Sequence, residues 1–384
     1  MTMRKALLGI ALAAAAVSSA FAQTKSPART QAPGQEILVG HVAGYTGPVM
    51  KDAVEMGMGA QVLFDAVNER GGFDGRKFRM IVADDQFKPD NTVQLLGEMK
   101  GKVVALLPMT GSANGAAMVK ADNLEIPLIG TIPSPDVVRN WQNPNVFHIR
   151  AGDREQLERI LEQLITIGLT NVALLVPNNP FGDQSTKIAE AYLTGRNLKL
   201  AANAVYLLAG PKADLAPGLK ALQGKKYQVV VVFGPPKFIA DAIKELRSHG
   251  ETAQVYSLSY ADAKQIVNTA TLALAHGVVI SQVMPNLNNR GLPLVKEFHE
   301  HFAKYAKTKE EPTPFNIEGY IAAKLIVEAI RRSKDASPKG VRAGLEMMRQ
   351  YDLGGFIIDF SPVKHQGSRY VDLSLIGGAG RLVY

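Results

Sequence analysis

A repeated alternation of short apolar runs with amphipathic stretches constrains this chain more than any other feature. The first series begins with an apolar run at residues 37–39, and the spacing predicts a helix over about 49–69, a strand over 78–82 and a helix over 90–99. A second series begins after Gly152-Asp153. Continuous apolar strands separated by amphipathic helices are typical of parallel sheets covered on both faces. The sequence therefore predicts an α/β fold with two doubly wound, Rossmann-like lobes built on mainly parallel sheets.

The second series repeats the pattern with a helix at its start. Leu157, Ile160, Leu161 and Leu164 recur at helical spacing, which predicts a helix with one buried stripe. Three Val- and Leu-rich runs then predict strands, with helices between and after them. The predicted strands cover 171–176, 228–233 and 255–258, and the predicted helices cover 183–194, 214–222 and 238–249.

Length and composition exclude several classes of protein. The chain has 384 residues, enough for about two to three domains of ordinary size. It contains no cysteine, which excludes disulfides, thiolate nucleophiles and cysteine-bound metals. The formal net charge is +8, but the basic residues are scattered and form no stripe with aromatic residues. We therefore expect no nucleic-acid partner.

The first 22 residues have the three parts of a secretory signal peptide. Arg4 and Lys5 supply the positive end, residues 6–17 form a short apolar run, and Ala20-Phe21-Ala22 matches the small-x-small cleavage pattern. The apolar run is shorter than the ~20 residues that a membrane span needs. We expect residues 1–22 to be removed as a signal peptide and residues 23–35 to form a flexible leader.

A chain exported in this way is expected in the periplasm. No cysteine stands at the cleavage point, so there is no residue to carry a lipid anchor. No later apolar run is long enough to span a membrane. We therefore expect an unanchored monomer without stable membrane insertion.

Glycine-rich segments do not match cofactor or catalytic signatures. The Gly-Met-Gly run at 57–59 lies inside a predicted helix and is followed by Val62, so close helix packing is favoured over dinucleotide binding. The serine of the segment 111–115 stands in the wrong place for a nucleophile elbow. We expect no cofactor and assign no catalytic residue, so the chain is not expected to be an enzyme.

Two polar groups also have simple structural interpretations. His299 and His301 are two residues apart, whereas a zinc-binding helix needs ligands four apart, so a solvated helical surface is favoured and no metal site is expected. Asp84 and Asp85 follow a strand and point to opposite faces, which favours a loop-capping or surface role over an acid–base pair.

Polar turns rich in glycine and proline follow the predicted strands in both series. They cover 44–48, 108–112, 130–135, 177–182, 234–236 and 259–260. Ligands of open α/β sheets bind beyond the carboxyl ends of the strands, where N–H groups at helix N-termini can hold an anionic group. The two lobes are therefore expected to form a cleft for a small-molecule ligand between these turns.

Several short motifs occur in an order that resembles a known family. They are Thr46-Gly47-Pro48, the glycine-rich turn at 68–75, Pro180-Phe181-Gly182, Glu318-Gly319-Tyr320 and Gly354-Gly355-Phe356. With this order and spacing, the mature chain resembles the type I periplasmic solute-binding proteins of the branched-chain amino acid and amide ABC-transport family. The resemblance implies a type I periplasmic binding protein fold, in which a three-crossover hinge joins two lobes.

Carried over from the resemblance, lobe 1 contains residues 36–151 and 283–366, and lobe 2 contains 152–282 and 367–384. The lobes are expected to close on a small solute by a hinge motion and to deliver it to an inner-membrane ABC permease. Two other interpretations stay open. One is a ligand sensor that presents its closed form to a membrane receptor or kinase, and the other is an exported hydrolase on a similar fold.

The resemblance also implies a set of binding residues. In amino-acid-binding relatives, the turns that match Gly111-Ser112 and 132–134 hold the ligand carboxylate, and the aromatic residue of the fourth turn is kept as Phe181. The predicted ligand-binding residues are Asp52, Met109, Gly111, Ser112, Ile132, Ser134, Phe181, Pro236 and Tyr260.

Two departures from the family pattern affect the expected ligand. The tyrosine that helps to hold a ligand ammonium falls at Pro236, and its acidic partner falls near Ser259 or Tyr260. A buried ammonium without a paired charge is costly. A small carboxylic acid, an aromatic acid or an amide is therefore preferred to a standard amino acid, unless Asp52 supplies the negative group. Asp262 is close in sequence, but we expect it to open the next helix.

Overall fold

A computed structural model describes residues 36–121, 124–139, 143–209 and 212–384. The predicted signal peptide at 1–22 and the leader at 23–35 lie outside the described residues. The described chain forms two α/β lobes, each built on its own sheet, and passes between them three times. The predicted fold class is therefore confirmed.

The first lobe begins with alternating strands and helices. The strands are β1 (Ile37–Ala43), β2 (Phe78–Asp84), β3 (Ala105–Leu106), β4 (Met109–Thr110), β5 (Leu128–Ile129), β6 (Thr131–Ile132) and β7 (Val146–Phe147), and the helices are α1 (Met50–Glu69), α2 (Pro89–Met99), α3 (Ser112–Lys120) and α4 (Asp136–Arg139). Five strands form a parallel sheet in the order β2-β1-β3-β5-β7, and β4 pairs with β6 just beyond it. The carboxyl ends of these strands therefore lie at one edge.

The second lobe repeats this arrangement. Its strands are β8 (Val172–Pro177), β9 (Ala202–Ala209), β10 (Lys212–Asp214), β11 (Val229–Val232), β12 (Gln254–Ser257) and β13 (Val279–Gln282), and its helices are α5 (Asp153–Thr166), α6 (Pro180–Thr194), α7 (Ala216–Leu222), α8 (Pro236–Ser248), α9 (Ala263–Ala270) and α10 (Leu272–Ala275). Strands β9, β8, β11, β12 and β13 are parallel neighbours in that order. β8 and β11 are apolar and buried along their whole length, as a sheet covered on both faces requires.

The last part of the chain contributes helices and strands to both lobes. Helices α11 (Pro293–Tyr305), α12 (Pro314–Ser333) and α13 (Pro338–Glu346) and the hairpin of β14 (Tyr351–Asp352) and β15 (Ile357–Ile358) follow, and then β16 (Asp372–Ile376) and β17 (Leu382–Val383). Side chains of α12 join those of α1 in the core of the first lobe, whereas β16 pairs with β13 of the second sheet. The chain thus passes between the lobes after β7, after β13 and before β16. The residue boundaries of the two lobes stay a prediction.

The helices cover the sheets with one buried stripe each. Helix α8 is an example: it buries Phe238, Ile239 and Ile243 and exposes Lys237. Within the described residues, none of the helices combines the length and the apolarity needed to cross a membrane.

Helices α1 and α12 cross with their backbones in contact. A Cβ atom added to Gly59 would overlap the carbonyl oxygen of Asn316, and one added to Gly319 would overlap the carbonyl oxygen of Met56. Glycine is therefore required at both positions for steric reasons. The prediction that the 57–59 run serves close helix packing is confirmed.

The edge of the second sheet differs from the sequence prediction. Residues 202–209 form β9, whose side chains alternate between buried and more exposed positions, so no continuous apolar run marks this strand. Strand β10 pairs with it antiparallel, and the helix predicted from residue 214 begins instead at Ala216. A strand with one face open to solvent needs only one apolar face, which is why a search for continuous apolar runs misses β9.

We expect Gly59→Ala to destabilise the first lobe. The added methyl group meets a backbone carbonyl, which moves only if α1 and α12 separate, and overpacking of this kind costs about 1–3 kcal/mol of unfolding free energy. Thermal and urea unfolding measure the loss. Gly97→Ala is the matched control, because Gly97 lies in α2 with nothing near its Cβ position. Equal stabilities for the two variants would contradict the packing interpretation.

Candidate functional site

A cavity of about 280 Å³ lies between the two lobes, where the strands of both sheets end. Turns that follow the strands form its walls, and its volume suits a small solute. Seven of the nine predicted binding residues line it: Asp52, Gly111, Ser112, Ile132, Phe181, Pro236 and Tyr260. The structure thus brings these residues together, and their role in binding stays a prediction.

The other two predicted residues lie behind the wall. Met109 is fully buried in the core of the first lobe. Ser134 is also fully buried: its hydroxyl accepts a hydrogen bond from Arg139 Nη1 at 3.2 Å, and its N–H donates to Asp153 Oδ1 at 3.3 Å. Neither Met109 nor Ser134 belongs to the lining of the cavity.

The corner at Gly111 presents a helix N-terminus to the cavity. Gly111 has a φ of 92°, and a Cβ atom there would come within 2.8 Å of the Phe87 ring, so a side chain at this position would be strained. Helix α3 begins at Ser112 without a side-chain cap on its first N–H groups. Uncapped N–H groups at a helix start attract anions. Together with the half-buried Ser112 hydroxyl, they can hold a carboxylate.

Asp85 is a buried carboxylate that positions this wall. Its Oδ1 accepts a hydrogen bond from the Phe87 N–H at 2.8 Å. Its Oδ2 accepts from Asn114 Nδ2 at 2.9 Å and from the Thr92 hydroxyl at 2.8 Å. Asp84 accepts from the neighbouring turn in the same way. The prediction that these two carboxylates cap loops is confirmed.

The second lobe contributes an aromatic and proline-rich wall. The rings of Phe181 and Tyr260 meet edge to face, with centroids 5.8 Å apart. The Tyr260 hydroxyl is buried without a hydrogen-bond partner among the described residues, and burial raises its pKa. The Asn179 side chain caps α6 by accepting from the N–H groups of Phe181 and Gly182, each at 3.1 Å. The first N–H groups of α6 therefore have a side-chain hydrogen-bond partner, whereas those of α3 have none among the described residues.

Asp52 is the buried carboxyl group of the cavity wall. It lies in the first turn of α1, is 2% exposed, and its Oδ1 has no hydrogen-bond partner among the described residues. Burial raises its pKa well above the ordinary value, and the carboxylates of Glu55 and Asp262 raise it further. Lys51 and Arg150 act in the opposite direction but do not outweigh burial. The Asp52 carboxyl group therefore keeps its proton to a higher pH than an exposed aspartate.

Asp262 opens the next helix, as predicted. Its Oδ1 accepts a hydrogen bond from the Gln265 N–H at 2.9 Å and so caps α9. Its Oδ2 accepts from Lys51 Nζ on α1, which belongs to the other lobe. This cross-lobe ion pair supplies Asp262 with an internal cation.

A larger cavity of about 470 Å³ also lies between the lobes, beside Asp262 and the start of α12. Three of its four acidic side chains have partners within the protein: Glu310 pairs with Lys264, Asp262 accepts from Lys51, and Glu55 accepts from the Thr313 hydroxyl at 2.7 Å. This cavity lies away from the turns that carry Ser112 and Phe181. The smaller cavity is therefore the candidate site.

The histidines at 299 and 301 serve packing. The prediction of a solvated surface is wrong for His301, which is buried: its Nε2 accepts from Arg70 Nη2 at 3.2 Å, and its Nδ1 lies 2.7 Å from the Tyr320 hydroxyl. His299 Nε2 lies 2.9 Å from the Leu287 carbonyl oxygen. The part of the chain that the structure describes contains no cluster of three or more histidine, aspartate or glutamate side chains that could hold a metal ion.

Eleven of the eighteen cavity-lining residues were not predicted from the sequence, among them Phe87, Asn114 and Asn179. Asn114 and Asn179 lie in or next to turns that the sequence does mark, whereas Phe87 lies outside those turns. Phe87 adopts a φ of 58°, and no pattern in the sequence indicates this conformation or the side chain that it turns toward the cavity. The turns were therefore detectable as segments, but the contributing side chains were not.

Comparison with known proteins agrees with this architecture. The family model for periplasmic binding proteins matches residues 36–378. The extracellular ligand-binding receptor from Verminephrobacter eiseniae is 30% identical, with a TM-score of 0.84 over 91% of this chain and 100% of that chain. A branched chain amino acid ABC transporter protein from Thermus thermophilus, solved with bound valine, is 21% identical, with a TM-score of 0.78 over 92% of this chain and 96% of that chain. This second likeness concerns the fold alone.

The curated relatives match over a shorter stretch. The Leu/Ile/Val-binding protein homolog 3 of Brucella melitensis is 29% identical over 133 residues, which are 34% of this chain and 36% of that protein. BraC3, a Leu/Ile/Val-binding protein of Rhizobium johnstonii, is 29% identical over 126 residues, 32% of this chain and 34% of that protein. The match thus spans about a third of the length of these relatives.

Asp153 makes the stability of this region depend on pH. It is buried at the start of α5, where burial raises its pKa to about 6 although Arg150 and the Ser134 N–H oppose the shift. An acid with a raised pKa holds its proton more tightly in the folded state than in the unfolded chain. Its contribution to stability is therefore present below about pH 4 and lost as the pH rises through about 6.

We expect Asp153→Asn to remove this part of the pH dependence. In the wild type, this single group lowers the unfolding free energy by about 3 kcal/mol between pH ~4 and ~7. Urea unfolding of both proteins at the two pH values measures the difference. Asp183→Asn, at an exposed position of α6, is the control and should leave the dependence unchanged. Parallel pH profiles for the wild type and D153N would contradict the assignment.

Proposed function

The chain belongs to the periplasmic binding protein family, and we propose that it is the substrate-binding component of an ABC importer for a small amino acid with an apolar side chain. One observation carries the proposal. A cavity of about 280 Å³ between the lobes combines an uncapped helix N-terminus with a buried carboxyl group whose Oδ1 has no hydrogen-bond partner in the described part of the chain. The names of the Brucella and Rhizobium relatives agree with this class of ligand.

The two polar groups of the wall match the two charged groups of an amino acid. The first N–H groups of α3 and the Ser112 hydroxyl suit the ligand carboxylate. Asp52 and the Tyr260 hydroxyl suit its ammonium group, because each has a buried oxygen without a partner. Asp52 of the first lobe therefore takes the place of the tyrosine and the acidic residue that the family pattern has at Pro236 and near Ser259.

The remaining wall is mostly apolar, apart from Asn114 and Asn179. Phe87, Ile132, Phe181 and Leu208 line the cavity together with proline rings. Removing an aliphatic or aromatic ligand side chain from water is favourable by about 25 cal/mol per Å² of apolar surface. A charged ligand side chain would find no further counter-ion among these residues, so the wall favours apolar side chains.

Capture is proposed to work through lobe closure. A ligand that touches α3 and Asp52 on one lobe and Phe181 and Tyr260 on the other is enclosed only when the lobes meet, so binding favours the closed state by its differential affinity. The closed form is then proposed to dock on an inner-membrane permease in the periplasm, after removal of the signal peptide at 1–22.

L-leucine and 4-methylpentanoate test the amino group directly, because the two acids differ only in that group. We expect L-leucine at 100 times its dissociation constant to stabilise the protein by about 2.7 kcal/mol, which a thermal-shift assay detects. Mass spectrometry of compounds released from gently purified protein tests the same point without a choice of probe. Equal stabilisation by 4-methylpentanoate would exclude recognition of the ammonium group.

Asp52 is expected to release its proton when an amino acid binds. The ligand ammonium lowers the pKa of Asp52, which burial and the carboxylates of Glu55 and Asp262 raise in the empty cavity and Lys51 and Arg150 only partly lower. Calorimetry at pH ~7 in buffers of different ionisation enthalpy should show release of up to about one proton per L-leucine. Asp52→Asn should abolish the release and weaken L-leucine binding at least about tenfold.

Ser112→Ala is the matched variant for the carboxylate end. It should weaken the binding of L-leucine and of 4-methylpentanoate by a similar factor, about fivefold, because both compounds carry the carboxylate. It should leave proton release on L-leucine binding unchanged. A loss confined to L-leucine would show that Ser112 does not hold the carboxylate.

A further inference from the structure

Arg150 is a buried cation at the place where the chain first leaves the first lobe. It lies between β7 and α5 and is 1% exposed. Its Nη2 donates a hydrogen bond to the hydroxyl of Ser259, which follows β12 of the second lobe. Its Nη1 lies 3.5 Å from Glu318 Oε2, on α12 of the first lobe. One guanidinium group therefore contacts both lobes beside a passage of the chain between them.

Several buried carboxyl groups share this cation. Burial raises the pKa of Asp52, Asp153 and Glu318, and in each case the charge of Arg150 opposes the rise. Asp52 also lines the ligand cavity, so the cluster extends from the passage to the cavity. Removing the guanidinium group would leave each of these buried carboxyl groups without that opposing charge.

Most of the hydrogen-bonding capacity in this cluster is unused. Buried side-chain atoms without a hydrogen-bond partner among the described residues are Nε and Nη1 of Arg150, Oδ1 of Asp52, Oδ2 of Asp153, Oε1 of Glu318 and the hydroxyl of Tyr260. Buried polar atoms in native proteins are nearly always paired, so such a group needs an explanation. Charge and a few cross-lobe hydrogen bonds hold the cluster together, among them the bond from Arg150 Nη2 to the Ser259 hydroxyl and the bond from the Ser134 N–H to Asp153 Oδ1. Its energy therefore depends on how the two lobes are placed.

We propose that Arg150 is a positioning residue that biases the two lobes toward the closed arrangement. Its guanidinium group draws Ser259 of the second lobe toward Glu318 and Asp52 of the first. Tyr260, the residue after Ser259, is thereby brought into the cavity wall. The inference rests on the proposed closure of the lobes, but it does not depend on the identity of the ligand.

A double-mutant cycle without ligand tests the bridge. Arg150→Met and Ser259→Ala should each lower the melting temperature, and the double variant should lose less than the sum because both changes remove the same contact. Ser257→Ala is the matched control, since the Ser257 hydroxyl donates to the Val232 carbonyl within the second lobe. The loss of melting temperature caused by Ser257→Ala should therefore add to the loss caused by Arg150→Met. Additive shifts for the Ser259 pair would overturn the proposal.

The distance between the lobes also tests the proposal, because a residue that only stabilised the fold would not change this distance. The chain has no cysteine, so Glu98→Cys on α2 and Lys187→Cys on α6, both exposed, can carry one pair of spin labels. In the ligand-free protein, Arg150→Met and Ser259→Ala should each lower the ratio of closed to open forms at least about fivefold. Arg150→Lys keeps the charge and should restore part of the closed form.

Two outcomes of the label experiment would overturn the proposal: unchanged label distances in the folded variants, or identical distances for Arg150→Lys and Arg150→Met. If Arg150→Met does not fold, Arg150→Lys replaces it in the cycle, and Ser259→Ala alone still tests the distance. Failure of all tested amino acids to bind would count against the proposed ligand. It would leave both measurements on Arg150 valid, because neither uses a ligand.

Discussion

The parallel register of the strands is the constraint on which the rest of the structure depends. β1 pairs in register with β2 and β3, and β11 pairs in register with β8 and β12. The strands of each lobe therefore end at a common edge, and the turns that follow them meet across a cavity of about 280 Å³. A slip by one residue would turn buried side chains to the opposite face, so the register is strongly specified. The places of Ser112, Phe181 and Tyr260 follow from it.

Burial gives the groups at this edge their chemical character. An aspartate in the first turn of an exposed helix would be ionised and hydrated, whereas Asp52 is 2% exposed and its pKa is raised well above the ordinary value. Arg150 is also buried, and its charge limits the rise in the pKa of three carboxyl groups. The same desolvation strengthens every remaining charge interaction. A cavity lined in this way discriminates ligands by charge more sharply than an exposed groove.

Part of the site was predictable because turns have local signatures. Glycine and proline mark the ends of strands, and six of the eight residues selected from those turns line the cavity, as does Asp52 near the start of α1. Ser134 and Met109 come from the same turns but lie behind the wall, whereas Phe87 and Asn114 lie in it. The difference arises from backbone conformation and from Asp85, which fixes the Phe87 backbone and the Asn114 side chain by hydrogen bonds. These contacts join residues distant in sequence and leave no periodic pattern.

The sequence by itself determined the alternation of strands and helices, the buried stripes, the strand-end turns and the cap that Asp262 places on α9. Each of these depends on spacing within one or two turns of chain, where steric and hydrogen-bonding preferences act. Only the tertiary structure decided that Lys51 pairs with Asp262, 211 residues away, and that Asp52 is left with a free oxygen. The physical reason is that desolvation and ion pairing depend on which distant segments come into contact, and the local sequence does not indicate these contacts.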